Sequence, residues 1–148
     1  MRDLAEVVES GRPPTARAPG RADLVSIVVP AYDEAESIGE FHRQLVVVLA
    51  TLARPVEIIY IDDGSTDGTA AALDTIAAAD RRVVVAHMRR NYGKSAALDL
   101  GFRLSAGGVV ITLDADLQDD PVEIPRFLAA LAGNDVVSGW KRPRLDPL

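Results

Sequence analysis

The feature that most constrains this chain is an apolar run that ends abruptly at two aspartates. Residues 109–113 read Val-Val-Ile-Thr-Leu, and Asp114 and Asp116 follow. A short β-branched run predicts a central strand of a parallel sheet, and ligands bind at the carboxyl ends of such strands. Two crowded carboxylates repel each other unless a cation lies beside them. A hard divalent ion is therefore expected here, with a diphosphate completing its shell.

Apolar runs alternate with helix-length stretches about five times along the chain. This order predicts an α/β fold with a doubly wound, mostly parallel sheet. The predicted strands are Leu24–Val29, Val56–Ile61, Val83–His87, the run before Asp114, and Asp135–Ser138. The predicted helices are Ala35–Leu52, Thr69–Ala79, Ser95–Ser105, and one from Pro121 that ends before Gly133.

The first 22 residues predict a lead-in, and residues 23–148 a single domain. Leu4–Glu9 is consistent with a frayed helical turn or two. Gly11–Arg21 is rich in Pro, Gly and Arg, which predicts a flexible segment. The alternative for this segment is a basic patch that touches anionic lipid.

Composition excludes several classes of protein. The 148 residues contain no cysteine, so a disulfide framework and a thiolate zinc site are excluded, and a reducing compartment fits. A net charge of -6 argues against a nucleic-acid partner. No apolar run approaches the ~20 residues of a membrane span, and residues 1–10 lack the apolar core of a signal peptide. We therefore expect a cytoplasmic location.

Three predicted strands end in acidic residues, which a parallel sheet gathers on one edge. Each acid alone is explained as a helix cap or a loop residue, but their convergence without a ligand costs free energy. Asp63 suits the N–H and O–H groups of a base and ribose, and Tyr32 could stack on the base. Gln118 is explained equally by a reach to the ligand or by a loop hydrogen bond. The acidic strand ends are Asp33 and Glu34, Asp62 and Asp63, and Asp114 and Asp116, and the candidate phosphate partners are Arg89, Arg90, Lys94 and Lys141.

Two common nucleotide motifs are absent. No G-x-G-x-x-G follows the first predicted strand, and Gly93-Lys94-Ser95 lacks the glycine of a G-x-x-x-x-G-K-[ST] loop, since Met88 stands there.

Four motifs together resemble glycosyltransferase family 2, in its dolichol-phosphate mannose synthase and polyprenyl-phosphate glycosyltransferase branch. The resemblance covers Val25 to the C-terminus. The motifs are PAYDEAESI at 30–38, DDGSTDGT at 62–69, RNYGKSAA at 90–97 and DADLQDDP at 114–121.

The resemblance implies a GT-A fold with a Rossmann-like nucleotide-binding half. It also implies a UDP- or GDP-linked sugar donor, Mg²⁺ or Mn²⁺, inversion at the anomeric carbon and a polyprenyl phosphate acceptor at the membrane face. Asp114 and Asp116, on either side of Ala115, would be the catalytic Asp-x-Asp pair that holds the metal and diphosphate, and Lys141 would lie near the phosphates. The residues implied to contact the nucleoside are Pro30, Tyr32, Glu34, Ile61 and Asp63.

Two departures from the family pattern affect this interpretation. Asp33 stands where relatives usually have Asn, which adds a negative charge near the donor. The chain also ends at Leu148, where relatives continue with acceptor-binding residues. It therefore resembles a donor-binding half, and the alternative to a transferase is a module that binds nucleotide sugar without transferring it. The exposed edge formed by Val136, Val137 and Trp140 then predicts self-association, a partner chain, or disorder after Gly139.

Two other classes fit less well. A phosphatase that uses Asp114 as nucleophile would place its Asp-x-Asp after the first strand, not the fourth. A receiver-like phosphoacceptor domain would need its acidic pair after the first strand, whereas Asp62 and Asp63 follow the second.

Overall fold

The computed structural model describes residues 5–9 and 21–139, and its centre is a five-stranded sheet. The spatial order of the strands is β1-β4-β3-β2-β5. Strands β2 to β5 are mutually parallel, and β1 pairs with β4 in the antiparallel direction. The strands are β1 (Ala5–Glu9), β2 (Arg21–Ala31), β3 (Val56–Asp62), β4 (Val83–Met88) and β5 (Gly107–Thr112).

Helices cover both faces of the sheet. They are α1 (Ile38–Leu49), α2 (Thr69–Ala79), α3 (Lys94–Leu104) and α4 (Ile124–Ala130), and a single 3₁₀ turn, Pro121–Glu123, precedes α4. Alternate residues of each strand face opposite sides, so the core has two parts. One part packs Phe41 and Leu45 of α1, Leu73 of α2 and Ile124 of α4 against the sheet. The other packs Ala97 of α3 against Val28, Ile59, Ile61, Ala86 and Met88.

This arrangement confirms the predicted α/β fold with a mostly parallel sheet. Because the connections are helical, the carboxyl ends of β2, β3, β4 and β5 lie at one edge. The loops that follow them, residues 32–37, 63–68, 89–93 and 113–120, therefore meet there. Within the described residues, no helix combines the length and apolar character needed to cross a bilayer.

The structure corrects three predictions of local structure. Ala5–Glu9 is an edge strand and not a helical turn, because the open edge of β4 offers it backbone partners. Residues 135–138 are not a strand. The first helix begins at Ile38 and not at Ala35. The predicted flexible segment lies mostly outside the described residues and stays a prediction.

Candidate functional site

A cavity of about 330 Å³ opens where the four loops meet. Every one of these loops, together with the carboxyl end of β2 and the first residue of α3, contributes to its wall. The lining residues are Pro30, Ala31, Tyr32, Glu34, Asp63, Asn91, Gly93, Lys94, Asp114, Ala115 and Asp116.

The loops after β2 and β3 are joined by reciprocal hydrogen bonds. The Asp33 N–H donates to Ser65 Oγ (2.9 Å), and the Thr66 N–H donates to Asp33 Oδ1 (2.8 Å). The Glu34 N–H donates to Thr69 Oγ1 (2.8 Å). Asp33 has a φ of +50°, a conformation that Asp and Asn adopt more readily than most residues. Because the Asp33 carboxylate accepts the Thr66 N–H, it stabilises the contact between the two loops. Asp33 is not among the residues that line the cavity.

Asp63 fixes the basic loop that precedes α3. Its side chain is almost completely buried, and its two oxygens accept the N–H groups of Tyr92 (2.8 Å) and Gly93 (3.0 Å). Each carboxylate oxygen has a second lone pair, so Asp63 can still accept a hydrogen bond from a ligand in the cavity.

Its neighbour Asp62 belongs to a separate network that runs from the buried Asp62 through His87 to the half-exposed Asp74. Asp62 Oδ2 lies 2.8 Å from His87 Nδ1, and His87 Nε2 lies 2.8 Å from Asp74 Oδ1. Burial lowers the pKa of His87, but the hydrogen bonds and charges of Asp62 and Asp74 outweigh it, and the net shift is upward. Asp62 Oδ1 also accepts the Ser65 N–H (3.0 Å), which stabilises the loop after β3.

The two aspartates after β5 lie in a tight turn. The Asp114 N–H donates to Asp119 Oδ2 (2.8 Å), and the Gln118 N–H donates to Asp116 Oδ1 (3.0 Å). Leu117, between Asp116 and Gln118, has a φ of +64°. The turn places both carboxylates on the cavity wall.

Lys94 of α3 reaches across the cavity to this turn. Its Nζ lies 2.6 Å from Asp114 Oδ1, and the side chains of Lys94 and Asp114 are 60% and 29% exposed. The pair is therefore accessible to solvent and to ligands. An ammonium group thus occupies the position beside Asp114 where a metal ion was expected.

The carboxylates of Asp114 and Asp116 suit a divalent cation that is also coordinated by a bound ligand. A carboxylate oxygen is the donor that Mg²⁺ and Mn²⁺ favour, and Asp114 already attracts a cationic group. No cluster of three or more His, Cys, Asp or Glu side chains suited to a metal occurs within residues 5–9 and 21–139. Asp114 and Asp116 are the two aspartates on this side of the cavity wall whose oxygens could ligate such a cation.

Eight of the predicted binding residues line this cavity, and four others in the described part of the chain do not: Ile61, Gln118, Arg89 and Arg90. Ile61 is fully buried in the core beneath α3, so its side chain is not at the cavity surface. Gln118 lines a different depression, next to Asp119 and Arg126. Lys141 lies outside the described residues. The eight are Pro30, Tyr32, Glu34, Asp63, Lys94, Asp114, Ala115 and Asp116.

Several contributors to the site were not among the predicted residues. Asn91 and Gly93 line the cavity. Their position in the basic loop after a predicted strand is the sequence feature that could have identified them. Ser37 Oγ lies 2.6 Å from Glu34 Oε2 and 3.0 Å from the Ala115 carbonyl oxygen, and its single O–H can donate to either, which brings the first loop and the last together. Asp119 contributes by accepting the Asp114 N–H (2.8 Å), so its side chain turns back into the loop.

Comparisons with known proteins show which family the chain belongs to. Residues 26–146 match the family model for glycosyl transferase family 2. Undecaprenyl-phosphate 4-deoxy-4-formamido-L-arabinose transferases match at 46% identity over 126 residues in Pseudomonas aeruginosa and 48% over 124 residues in Pseudomonas fluorescens. These matches cover 84% and 82% of this chain, but the chain spans only 37% and 36% of the length of those relatives.

Solved structures share the fold. A mannosyltransferase from Pyrobaculum calidifontis, in complex with GDP-Man and Mn²⁺, matches with a TM-score of 0.68 and 29% identity over 90% of this chain and 40% of its own. S. aureus TarS 1-349 matches with a TM-score of 0.57 and 23% identity over 74% of this chain and 32% of its own, a likeness of fold alone. The architecture is thus the GT-A arrangement, and the chain belongs to glycosyltransferase family 2.

Proposed function

We propose that this chain binds a nucleotide-diphosphate sugar through a divalent metal, as the donor-binding part of an inverting transferase that acts on a polyprenyl phosphate. One observation supports this most: Asp114, Asp116 and Lys94 share one cavity with the aromatic and acidic residues of the loops after β2 and β3. The cavity thus has a cationic and metal-ready side and a side suited to a nucleoside.

The nucleoside is proposed to lie against the loops after β2 and β3. Tyr32 is 45% exposed, so its ring is free to stack on a base. Asp63 and Glu34 can accept hydrogen bonds from base or ribose groups, and Pro30 forms part of the same wall. Uridine and guanosine both fit these acceptors.

The diphosphate is proposed to lie between Asp114, Asp116 and Lys94. A bound Mg²⁺ or Mn²⁺ would offset the charge that develops on the departing diphosphate. Asp116 Oδ1 accepts the Gln118 N–H, which orients the carboxylate as a cation ligand. The Lys94 ammonium can donate to phosphate oxygens. The acceptor phosphate is already anionic at neutral pH, so the sugar transfer needs little help from a general base.

The alternative is a module that binds nucleotide sugar without transferring it. It shares every residue of the donor site, so nucleotide binding does not separate the two functions. Transfer of a labelled sugar to a polyprenyl phosphate does, and product formation would contradict the binding-only alternative. We place the transferase beside the cytoplasmic membrane face, where a lipid phosphate is accessible.

The experiment is calorimetric titration of the chain with UDP and with GDP, each with and without Mn²⁺. We expect metal-dependent binding of one nucleotide and a loss of about tenfold or more in Asp116→Asn, which is about 1.4 kcal/mol. Asp99→Asn is the matched control, because Asp99 is exposed on α3 and pairs only with Arg103 among the contacts the structure gives it (2.9 Å). A nucleotide affinity that changes neither when Mn²⁺ is omitted nor in Asp116→Asn would overturn the proposal.

A further inference from the structure

We propose that Lys94 holds the place of the divalent cation at Asp114 in the donor-free site and transfers to the donor diphosphate when the cation arrives. Lys94 then contacts the donor directly and couples metal binding to nucleotide binding. This inference rests on the proposed function and adds an order of events to it.

The ion pair between Lys94 and Asp114 is built by the fold from both sides. Asp63 accepts the N–H groups of Tyr92 and Gly93, the residues immediately before Lys94. Asp119 accepts the Asp114 N–H and fixes the other partner. Both backbones are therefore held in place, while the four-carbon stem of Lys94 leaves its ammonium free to move.

The position of Lys94 in its helix indicates a role in the cavity. Lys94 is the first residue of α3, and the first turn of this helix carries no acidic residue. A cation at a helix N-terminus is unfavourable because the dipole places positive charge there. The local helix thus gains nothing from this lysine, whereas the cavity gains a group that neutralises Asp114.

The charges make the ammonium and the metal alternatives at Asp114. Two like charges within a few ångströms of one carboxylate oxygen repel each other. A divalent ion bound by Asp114 and Asp116 would therefore displace the ammonium. The diphosphate of the donor then offers Lys94 anionic oxygens in the same cavity.

Displacement of this pair is inexpensive. Ion pairs at the surface contribute little because water screens them, and in this pair the Lys94 side chain is 60% exposed and that of Asp114 29%. We therefore expect Lys94→Met to raise the affinity for Mn²⁺ alone by roughly two- to fivefold. The same change should lower nucleotide affinity at saturating Mn²⁺ by roughly tenfold, since a charged donor to the phosphates is lost.

The test measures Mn²⁺ binding by electron paramagnetic resonance and UDP or GDP binding by calorimetry. Lys94→Arg keeps the charge and should stay near the wild type in both measurements. Arg103→Met is the matched control, since it removes a cation from the far end of α3. Lys94→Gln removes the charge with a polar side chain and should behave like Lys94→Met. Thermal unfolding of each variant shows whether any change in affinity arises from misfolding.

Opposite shifts in the two affinities support the inference. A Mn²⁺ affinity that is unchanged or lower in Lys94→Met and Lys94→Gln overturns it, and so does an unchanged nucleotide affinity. A wild-type chain that binds nucleotide only with Mn²⁺, and loses it in Asp116→Asn, keeps the proposed function even if the inference fails. A wild-type chain that binds no metal nucleotide overturns both.

Discussion

Single backbone conformations decide how closely the loops approach each other. Gly64 has a φ of +69°, and a Cβ there would lie 2.2 Å from the carbonyl carbon of Arg90 and 2.5 Å from the backbone nitrogen of Asn91. Glycine is therefore required both by the left-handed conformation and by the close approach of the loop after β4.

We predict that Gly64→Ala destabilises the protein. Left-handed strain alone costs about 1–3 kcal/mol, and the backbone clash adds to it. Chemical denaturation measures the change. Gly39→Ala is the control, because a Cβ at Gly39 meets nothing within 4 Å and lies in α1. A Gly64→Ala variant as stable as Gly39→Ala would contradict this account of the loop.

At this scale the sequence predicts residues better than pairings. Asp114 and Asp116 could be located because they directly end a β-branched run. The Lys94–Asp114 pair could not, because it joins residues of separate elements through a flexible side chain. The same holds for Asp33. Its positive φ and its hydrogen bonds to the loop after β3 could not be predicted from the sequence.

At the scale of elements, His87 joins β4 to both β3 and α2. Its two ring nitrogens face Asp62 and Asp74, and Glu6 of β1 is its backbone partner across the sheet. The net upward shift in the pKa of His87 means that the folded protein holds the proton more tightly than the unfolded chain. Its contribution to stability is complete below the ordinary pKa of 6.5 and is lost as pH rises through the folded pKa.

We predict that His87→Gln lowers the free energy of unfolding more at pH 6 than at pH 8.5. The loss at pH 6 is about 1–3 kcal/mol, since charge-assisted hydrogen bonds disappear. Denaturant unfolding of both proteins at the two pH values measures it. His42, whose pKa is lowered by burial, is present in both proteins and cancels in the difference. A difference that grows with pH would refute the prediction.

The accuracy of element prediction followed the strength of the local signal. The helix predicted over Thr69–Ala79 is α2 with the same bounds, because polar turns delimit it on both sides. Ala5–Glu9 was missed because five residues carry too little periodicity to separate a strand from a helix. Its conformation depends on pairing with β4, which is distant in sequence.

At the scale of the whole molecule, the β5 edge of the described sheet exposes apolar side chains. In the described part of the chain, β5 has only β2 as a neighbouring strand. Val110 of β5 is 40% exposed, Phe102 of α3 is 48% exposed, and Val136 is 82% exposed. A cleft of about 400 Å³ runs along this edge. Open strand edges with apolar side chains favour pairing with another chain.

We predict that the chain self-associates through this edge, with a second copy covering it. Light scattering over a range of concentrations should show a dimer that Val110→Lys weakens. Val47→Lys is the control, because Val47 is 60% exposed on α1. A monodisperse monomer at every concentration would rule this arrangement out.

The central claim is that Asp114 and Asp116 hold a divalent metal against the diphosphate of a nucleotide. Phosphorus NMR of UDP or GDP with substoichiometric Mn²⁺ tests it most directly, because a paramagnetic ion broadens the signals of phosphates that it contacts. We predict that the chain enhances this broadening beyond that of Mn²⁺ and nucleotide alone, and that Asp116→Asn abolishes the enhancement while Asp99→Asn retains it. Equal broadening with and without the wild-type chain would contradict the claim.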